Sequence, residues 1–265
     1  MTTATIQEPS PSVFADSLTM LRRNLLHVRR YPSMAFSILI MPTVLLLVFN
    51  YVFGGALEAG LEPGTEYINY LAPGMLLLLL PAYLTVSVAV MLATDITKGI
   101  VNRFRVMAIA QSAMLTGHVV GTLIQGTLAM AGMLGVAMLM GFRPDATPVE
   151  WVAVIGLLML VVFAFTWLAV GFGLAAPNPE SASNMPFPIV MMPFLGSGLV
   201  PTDTMPTVLR WFAEYQPFTP ITETIRGLLM GTEIGVNGVV SLAWCAGIAG
   251  VGYLWSMALF KKQAR

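Results

Sequence analysis

The stretch that decides the fold is TDITKGIVNRFRVMAIAQ, residues 94–111, which separates two long apolar runs. It carries a basic excess, and its charged residues are Asp95, Lys98, Arg103 and Arg105. Ile96, Ile100 and Phe104 recur every four residues, and this spacing predicts a short amphipathic helix. A helix held between two membrane spans can pass a push from a soluble partner into those spans. The alternative is an ordinary solvated loop that follows the positive-inside rule.

The composition places the chain among polytopic membrane proteins. Of its 265 residues, 57% are hydrophobic and 10% are charged, with a mean hydropathy of +0.79. Soluble proteins carry about 25% charged residues. The net charge is zero, so nothing in the composition indicates a nucleic-acid partner. Cys245 is the single cysteine, which excludes an internal disulfide and a cysteine-based metal cage.

Six apolar runs predict six transmembrane helices. They cover residues 33–53, 71–93, 114–140, 151–174, 186–200 and 239–260. A helical span needs about 20 residues at a rise of about 1.5 Å, so the fifth run must borrow neighbours or be broken. The predicted fold is an all-α polytopic membrane protein with one transmembrane domain over residues 14–265. A disordered tail, residues 1–13, precedes it, and no cleavable signal peptide is expected.

A basic amphipathic helix is predicted before the first span. Its apolar face consists of Phe14, Leu18, Leu21, Leu25 and Val28. Its arginines are Arg22, Arg23, Arg29 and Arg30, and Pro32 ends it. A basic helix that leads directly into a span is typical of an interfacial helix on the cytoplasmic membrane surface.

The positive-inside rule predicts that both termini are cytoplasmic in a cell (inner) membrane protein. With six spans in this orientation, most of the 13 Lys and Arg residues lie inside. The exceptions are Arg143, Arg210 and Arg226.

The segment between the fifth and sixth runs predicts two short amphipathic helices, residues 205–215 and 221–230, separated by Pro217 and Pro220. They form either a hairpin that dips back into the outer leaflet or a pair lying flat at the interface, with Trp211 as a belt residue. Re-entrant backbone survives at that depth only where protein or a wet cavity surrounds it.

Two motifs, in this order around six spans, carry a family resemblance. One is residues 95–105, with Lys98-Gly99 and Arg103-Phe104-Arg105; the other is YQPFTPITETIR, residues 215–226. They resemble the ATPase-docking loop and the outer re-entrant signature of ABC-2 type permease subunits, in the branch that exports daunorubicin-like drugs and lipids. The resemblance covers nearly the whole chain. Asn102, Ala108 and Gln111 depart from the family pattern.

The resemblance implies roles for three sets of residues. ATPase coupling falls on Asp95, Lys98, Gly99, Ile100, Arg103, Phe104 and Arg105. The outer gate comprises Pro217, Pro220, Glu223 and Arg226. The interfacial helix contributes Arg22, Arg23, Arg29 and Arg30.

The resemblance also implies the partners. Two permease chains, expected to be identical, pair in the membrane, and each contacts one cytoplasmic ABC ATPase subunit. No cofactor is expected in this chain, and ATP and magnesium are expected on the partner ATPase. The sequence agrees, since it contains no G-x-x-x-x-G-K-[ST] phosphate-binding loop.

The functional hypothesis is a permease that exports hydrophobic or amphipathic drugs or lipids. None of the six runs contains Asp, Glu, Lys or Arg, which favours such a cargo over an ion or a free sugar. Two alternatives stay open, a membrane scaffold and an intramembrane enzyme. The enzyme would use the elbow-like Gly196-Ser197-Gly198, with His118 as its base.

Overall fold

A computed structural model describes residues 32–58, 60–61, 64–99 and 111–263. All regular elements in this part of the chain are helical. The α-helices are α1 Pro32–Leu47, α2 Gly54–Glu58, α3 Tyr67–Thr97, α4 Gln111–Leu139, α5 Pro148–Ala175, α6 Pro179–Asn184, α7 Phe187–Met191, α8 Thr207–Tyr215, α9 Phe218–Met230 and α10 Asn237–Gln263. A π-helical segment, Val48–Phe53, joins α1 to α2, and short 3₁₀ turns occur at Met192–Leu195 and Thr202–Thr204.

Five helical segments within the described residues are long and apolar enough to cross a membrane. They are Ile40–Glu58, Tyr67–Thr97, Val119–Leu139, Pro148–Ala175 and Asn237–Lys262. They coincide with the first, second, third, fourth and sixth predicted runs.

The start of α5 shows how local chemistry extends a helix beyond its apolar run. Thr147 and Glu150 form a capping box, in which the Glu150 carboxylate accepts from the Thr147 backbone N–H at 2.6 Å. Pro148 occupies the first turn, where its missing N–H costs no intrahelical bond. These residues start α5 ahead of the predicted residue 151.

Helix α3 extends beyond its predicted bounds at both ends. It covers Tyr67–Thr97 instead of residues 71–93, so the first residues of the central stretch complete this helix. The hydroxyls of Thr94 and Thr97 donate to carbonyls four residues earlier, at 2.7 and 2.8 Å. Such back-bonding gives polar side chains a partner within the helix.

The prediction that a separate amphipathic helix begins at Thr94 is therefore wrong, because Thr94 lies within α3. Asp95 is buried in the last turn of α3, whereas Lys98 is exposed beyond it. Gly99 has φ +69°, a left-handed conformation that favours glycine and ends the helix.

Helices α3, α5 and α10 run in the same direction. Gly173 of α5 lies against Leu92 of α3. Earlier in the same two helices, Val162 of α5 and Leu84 of α3 both lie against Gly126 of α4. Residue numbers therefore rise together along α3 and α5. The same holds for α10, where Gly252 contacts Leu168 and Trp255 contacts Gly171.

The fifth run is broken rather than continuous. Its region contains α6, α7 and the 3₁₀ turn, because prolines at positions 186, 188 and 193 remove amide donors that a continuous helix needs. Ala182 packs with Ala89 and Ala93 of α3, while the backbone of Gly198 lies against Gly74. The segment thus follows α3 over about 28 Å at 1.5 Å per residue.

Glycine at position 252 permits close packing of α10 on α5, and we expect Gly252→Ala to lower the unfolding midpoint. Its Cβ would lie 2.7 Å from the Leu168 backbone nitrogen, so the two helices must separate. Overpacking of this kind costs about 1–3 kcal/mol. Gly250→Ala is the matched control, since its Cβ would meet no atom of the described residues within 4 Å and alanine favours helix by up to about 1 kcal/mol. Thermal unfolding in one detergent measures both variants, and equal midpoints would contradict the packing.

Candidate functional site

The hairpin of α8 and α9 combines an exposed helix with a buried one. Val208, Trp211 and Tyr215 of α8 are exposed, whereas most of α9 is buried against the bundle. Helix α9 begins at Phe218 rather than at the predicted residue 221. Pro220 therefore lies in its first turn, where an amide donor has no intrahelical partner, and does not separate the two helices.

Helix α9 lies along the first half of α5. The ring of Phe218 stacks on Phe165 with a centroid distance of 5.2 Å. Phe165 is about 25 Å along α5 from Pro148 at 1.5 Å per residue. At the other end of α9, the Leu229 carbonyl accepts from the Asp145 backbone N–H at 2.9 Å. The hairpin tip therefore reaches the middle of the bundle, and the end of α9 returns to the α4–α5 turn.

Four residues, Tyr70, Ser197, Glu223 and Arg226, form what we call the arginine cluster. Arg226 Nη1 pairs with Glu223 Oε1 at 2.5 Å. Arg226 Nη2 donates to the carbonyls of Ser197 at 2.9 Å and Tyr70 at 3.2 Å. The guanidinium carbon lies 3.7 Å from the centroid of the Tyr70 ring, a cation–π distance. Arg226 therefore joins α9 to α3 and to the turn at Ser197.

Burial makes this pairing consequential. The side chain of Arg226 is 11% exposed and that of Glu223 is 33% exposed. A charge taken out of water is stable only where opposite charge and hydrogen bonds replace its hydration. Arg226 has both, whereas Glu223 keeps part of its contact with solvent.

The turn at residues 196–199 is fixed to α3. The Tyr70 hydroxyl donates to the Ser197 carbonyl at 2.8 Å, and the Tyr67 hydroxyl donates to the Leu199 carbonyl at 3.0 Å. Gly74 permits the backbone of Gly198 to approach closely, since a Cβ on Gly74 would lie 1.9 Å from the Gly198 carbonyl oxygen.

Polar side chains also meet where the hairpin tip contacts this turn. The Ser197 backbone N–H donates to Thr219 Oγ1 at 3.3 Å. In the described part of the chain, four buried atoms there have no hydrogen-bond partner: Ser197 Oγ, Gln216 Nε2, Gln216 Oε1 and Arg226 Nε.

The structure brings together part of what the sequence predicts. Pro217, Pro220, Glu223 and Arg226 all lie at or in α9. Asp95, Lys98 and Gly99 lie at the far end of α3, and Asp95 is about 38 Å along that helix from Tyr70. The other predicted coupling and interfacial residues lie outside the described ranges, namely Ile100, Arg103, Phe104, Arg105, Arg22, Arg23, Arg29 and Arg30.

The sequence predicts no site role for Tyr70 or Gln216, and it offers Ser197 only as the serine of an intramembrane enzyme. Tyr70 and Ser197 are 127 positions apart, so no local pattern joins them. One usable signal was the Gly-Ser-Gly sequence at residues 196–198, where missing side chains permit close backbone approach.

Comparison with known proteins identifies the family. The model of the ABC-2 type transporter family matches residues 16–230. The daunorubicin resistance ABC transporter permease protein DrrB1 of Streptomyces coeruleorubidus is 30% identical over 252 residues, covering 93% of this chain and 86% of that protein. The probable doxorubicin resistance ABC transporter permease protein DrrC of Mycobacterium tuberculosis is 23% identical over 79% of this chain and 75% of its own.

A longer relative shares the same region. ABC transporter G family member 20 of Dictyostelium discoideum is 24% identical over 192 residues, which is 69% of this chain but 26% of that protein. The family model covers most of the chain, and the similarity to DrrB1 extends over nearly all of it. The chain therefore belongs to the ABC-2 type transporter family, as a membrane-embedded permease component.

Proposed function

We propose that this chain is the permease subunit of an ATP-driven exporter that moves hydrophobic or amphipathic drugs or lipids out of the cytoplasm or inner leaflet. The observation that carries the proposal is the 30% identity, over most of both chains, to a permease named for daunorubicin resistance. The lack of charged residues in the predicted spans supports an apolar or amphipathic cargo.

The energy source in this proposal is a separate cytoplasmic ABC ATPase. Two identical permease chains pair and bind two ATPase subunits, which hold ATP and magnesium. The coupling stretch, residues 94–111, receives the motion of the ATPase. The basic helix that contains Arg22, Arg23, Arg29 and Arg30 lies on the cytoplasmic surface, in contact with lipid.

Six crossings, rather than five, complete the proposed topology. Neighbouring spans that run in the same direction require the chain between them to return across the bilayer, and α5 and α10 are such a pair. The broken segment beside α3 covers about 28 Å, close to the hydrocarbon thickness of about 30 Å. Protein contacts along α3 support a proline-rich crossing, since its freed backbone groups need not face lipid.

The export proposal is tested with inverted membrane vesicles that contain the permease and its ATPase. We expect ATP-dependent accumulation of daunorubicin, followed by its fluorescence, which a hydrolysis-deficient ATPase abolishes. Equal accumulation with and without ATP would refute the proposed function.

The proposed orientation predicts which engineered cysteines react from outside intact cells. In a Cys245→Ala background, we expect a membrane-impermeant maleimide to label Asp203→Cys but not Lys98→Cys. Asp203 is 74% exposed and lies beside the hairpin, while Lys98 is exposed at the far end of α3. Permeabilised cells supply the control, in which both cysteines react. Labelling of Lys98→Cys in intact cells would overturn the orientation.

The coupling role predicts that Phe104→Ala weakens the contact with the ATPase. Removing a central aromatic from an interface commonly costs about 2 kcal/mol or more, which is roughly a thirtyfold loss of affinity. We expect less co-purified ATPase and less substrate-stimulated hydrolysis at unchanged permease expression. Val106→Ala is the control, since residue 106 lies off the stripe formed by Ile96, Ile100 and Phe104. Normal stimulated hydrolysis in Phe104→Ala would remove the assigned role.

A further inference from the structure

Buried polar atoms without partners occur where the hairpin contacts the turn at residues 196–199. They are Ser197 Oγ, both amide atoms of Gln216 and Arg226 Nε, and the absence of partners refers to the described residues. Such a group costs free energy because it has left water without gaining another hydrogen bond. Native proteins pair nearly all of their buried polar groups, so several unpaired atoms in one place need an explanation.

The three residues that carry these atoms all adjoin the turn at residues 196–199. A Cβ built on Gly196 would lie 2.7 Å from Gln216 Nε2 and 3.0 Å from Thr219 Oγ1. The next residue, Ser197, belongs to the turn, and its carbonyl accepts from Arg226 Nη2 at 2.9 Å. The unpaired donors and acceptors therefore belong to side chains that meet at one turn of backbone.

The arginine cluster carries no net charge when Glu223 and Arg226 are both ionised. Glu223 pairs with Arg226 at 2.5 Å, so the cluster offers hydrogen bonds without an excess of charge. Arg226 Nε and the Gln216 amide nitrogen donate, Gln216 Oε1 accepts, and the Ser197 hydroxyl does both. This set suits an uncharged hydroxyl or carbonyl group better than an anion.

The tip is joined to the turn by few polar contacts. Within the described ranges, one hydrogen bond joins the tip, residues 216–219, to the turn, residues 196–199. It joins the Ser197 N–H to Thr219 Oγ1 at 3.3 Å, beyond the common length for an N–H···O bond. The turn itself is held by Tyr67 and Tyr70, which do not belong to the tip.

We propose that Ser197, Gln216 and Arg226 Nε form a binding site for a hydroxyl or carbonyl group of the transported molecule. The described conformation is the closed form of this site, and separation of the tip from the turn exposes it to the cargo. The assignment of the ligand rests on the proposed export function. The site adds selectivity for hydrogen-bonding cargo to a pathway that is otherwise apolar.

The test uses Gln216→Met and Ser197→Ala, with two probes that differ in hydrogen bonding. Daunorubicin carries hydroxyl and carbonyl groups, whereas tetraphenylphosphonium has neither donors nor acceptors. Binding to the purified permease is measured by the shift of its unfolding midpoint, and transport is measured in vesicles with the ATPase. Gln125→Met is the control, because Gln125 is a half-buried amide on α4, outside this cluster.

We expect each variant to bind daunorubicin about tenfold more weakly, since a lost hydrogen bond costs about a factor of ten, and to bind tetraphenylphosphonium as before. Without a probe, Gln216→Met raises the unfolding midpoint by about 2–4 °C, because it removes an unsatisfied buried amide. Ser197→Ala keeps the backbone contacts and decides the question if Gln216→Met fails to fold.

The outcomes separate the site from the export proposal. Wild-type protein that binds daunorubicin without transporting it would refute export, and weaker daunorubicin binding by both variants would then still support the site. Transport by wild type with an unchanged ratio of the two affinities in both variants would overturn the site alone. Wild-type protein that binds neither probe overturns both.

Discussion

We expect Arg226→Met to abolish most export and the same substitution at Arg210, in the same hairpin, to leave export nearly unchanged. Arg226 donates to the carbonyls of Ser197 and Tyr70 and to the carboxylate of Glu223, and the variant removes this donor from all three, although the Ser197 carbonyl keeps its bond from the Tyr70 hydroxyl. Removing one partner of a buried charge pair costs about 3–5 kcal/mol. The partial exposure of Glu223 places the expected loss at the lower end of that range.

Arg210 makes the control informative. It bridges Asp203 at 2.5 Å and Glu214 at 2.7 Å, so it is as well paired as Arg226, but its side chain is 45% exposed. Exposed ion pairs contribute about 0–1 kcal/mol. Arg210 has two acidic partners and Arg226 has one, so a larger effect at Arg226 must come from its burial and not from the number of its ion pairs.

The two members of the buried pair should also differ from each other. In Glu223→Gln, Arg226 keeps both carbonyls and the Tyr70 ring, so we expect a loss of about 1–2 kcal/mol. The double variant should be less defective than the two single losses summed, since the residues interact directly. Export at equal expression and equal ATPase binding measures the cycle. Full additivity, or wild-type export in Arg226→Met, would show that the pair has no gating role.

The second large effect is expected for Gly74→Ala, as a loss of correctly folded permease. The added Cβ would lie 1.9 Å from the Gly198 carbonyl oxygen and 2.6 Å from the adjoining backbone carbon, and neither atom belongs to a side chain that can rotate away. The turn at residues 196–199 must move off α3. Overpacking costs about 1–3 kcal/mol and more where backbone obstructs backbone.

The contact is asymmetric, which supplies a sharp control. A Cβ on Gly198 would lie 3.6 Å from the nearest atom of Gly74, an ordinary van der Waals distance. Gly198→Ala should therefore fold, as should Gly135→Ala on α4, whose Cβ would meet nothing within 4 Å in the part of the chain that the structure describes. Detergent-extracted yield of monodisperse protein and its unfolding midpoint are the measurements. Similar yields for Gly74→Ala and Gly198→Ala would contradict the described approach of the two backbones.

The sequence predicts helices better than it predicts the contacts between them. Apolar length alone locates α5 and α10, because a long run in lipid has few alternatives to a helix. The sequence does not predict the extension of α3 to Thr97, because polar residues at the end of an apolar run are typical of a loop. In the structure, the Thr97 hydroxyl donates to a backbone carbonyl of the same helix. Pro220 predicts a boundary between the two hairpin helices, but it lies in the first turn of α9, where proline is compatible with a helix.

The sequence likewise predicts only part of the candidate site. The spacing of Glu223 and Arg226 predicts their pairing, because residues three apart share a helical face. The spacing does not predict that Arg226 also reaches Tyr70 and Ser197, which lie 156 and 29 positions away. Their contact depends on how α3, α9 and the broken segment pack, and that information is spread over many residues.

The broken segment has a mechanical consequence for the proposed transport cycle. It is anchored to α3 twice, through Ala182 near Ala93 and through Gly198 at Gly74. Two anchors about 28 Å apart on one helix oppose tilting and sliding, so we expect the segment to move together with α3. In the proposed cycle, a push that reaches the end of α3 is therefore passed to the turn beside Arg226. The contact that would yield to such a push is the 3.3 Å hydrogen bond between this turn and Thr219 of the hairpin tip.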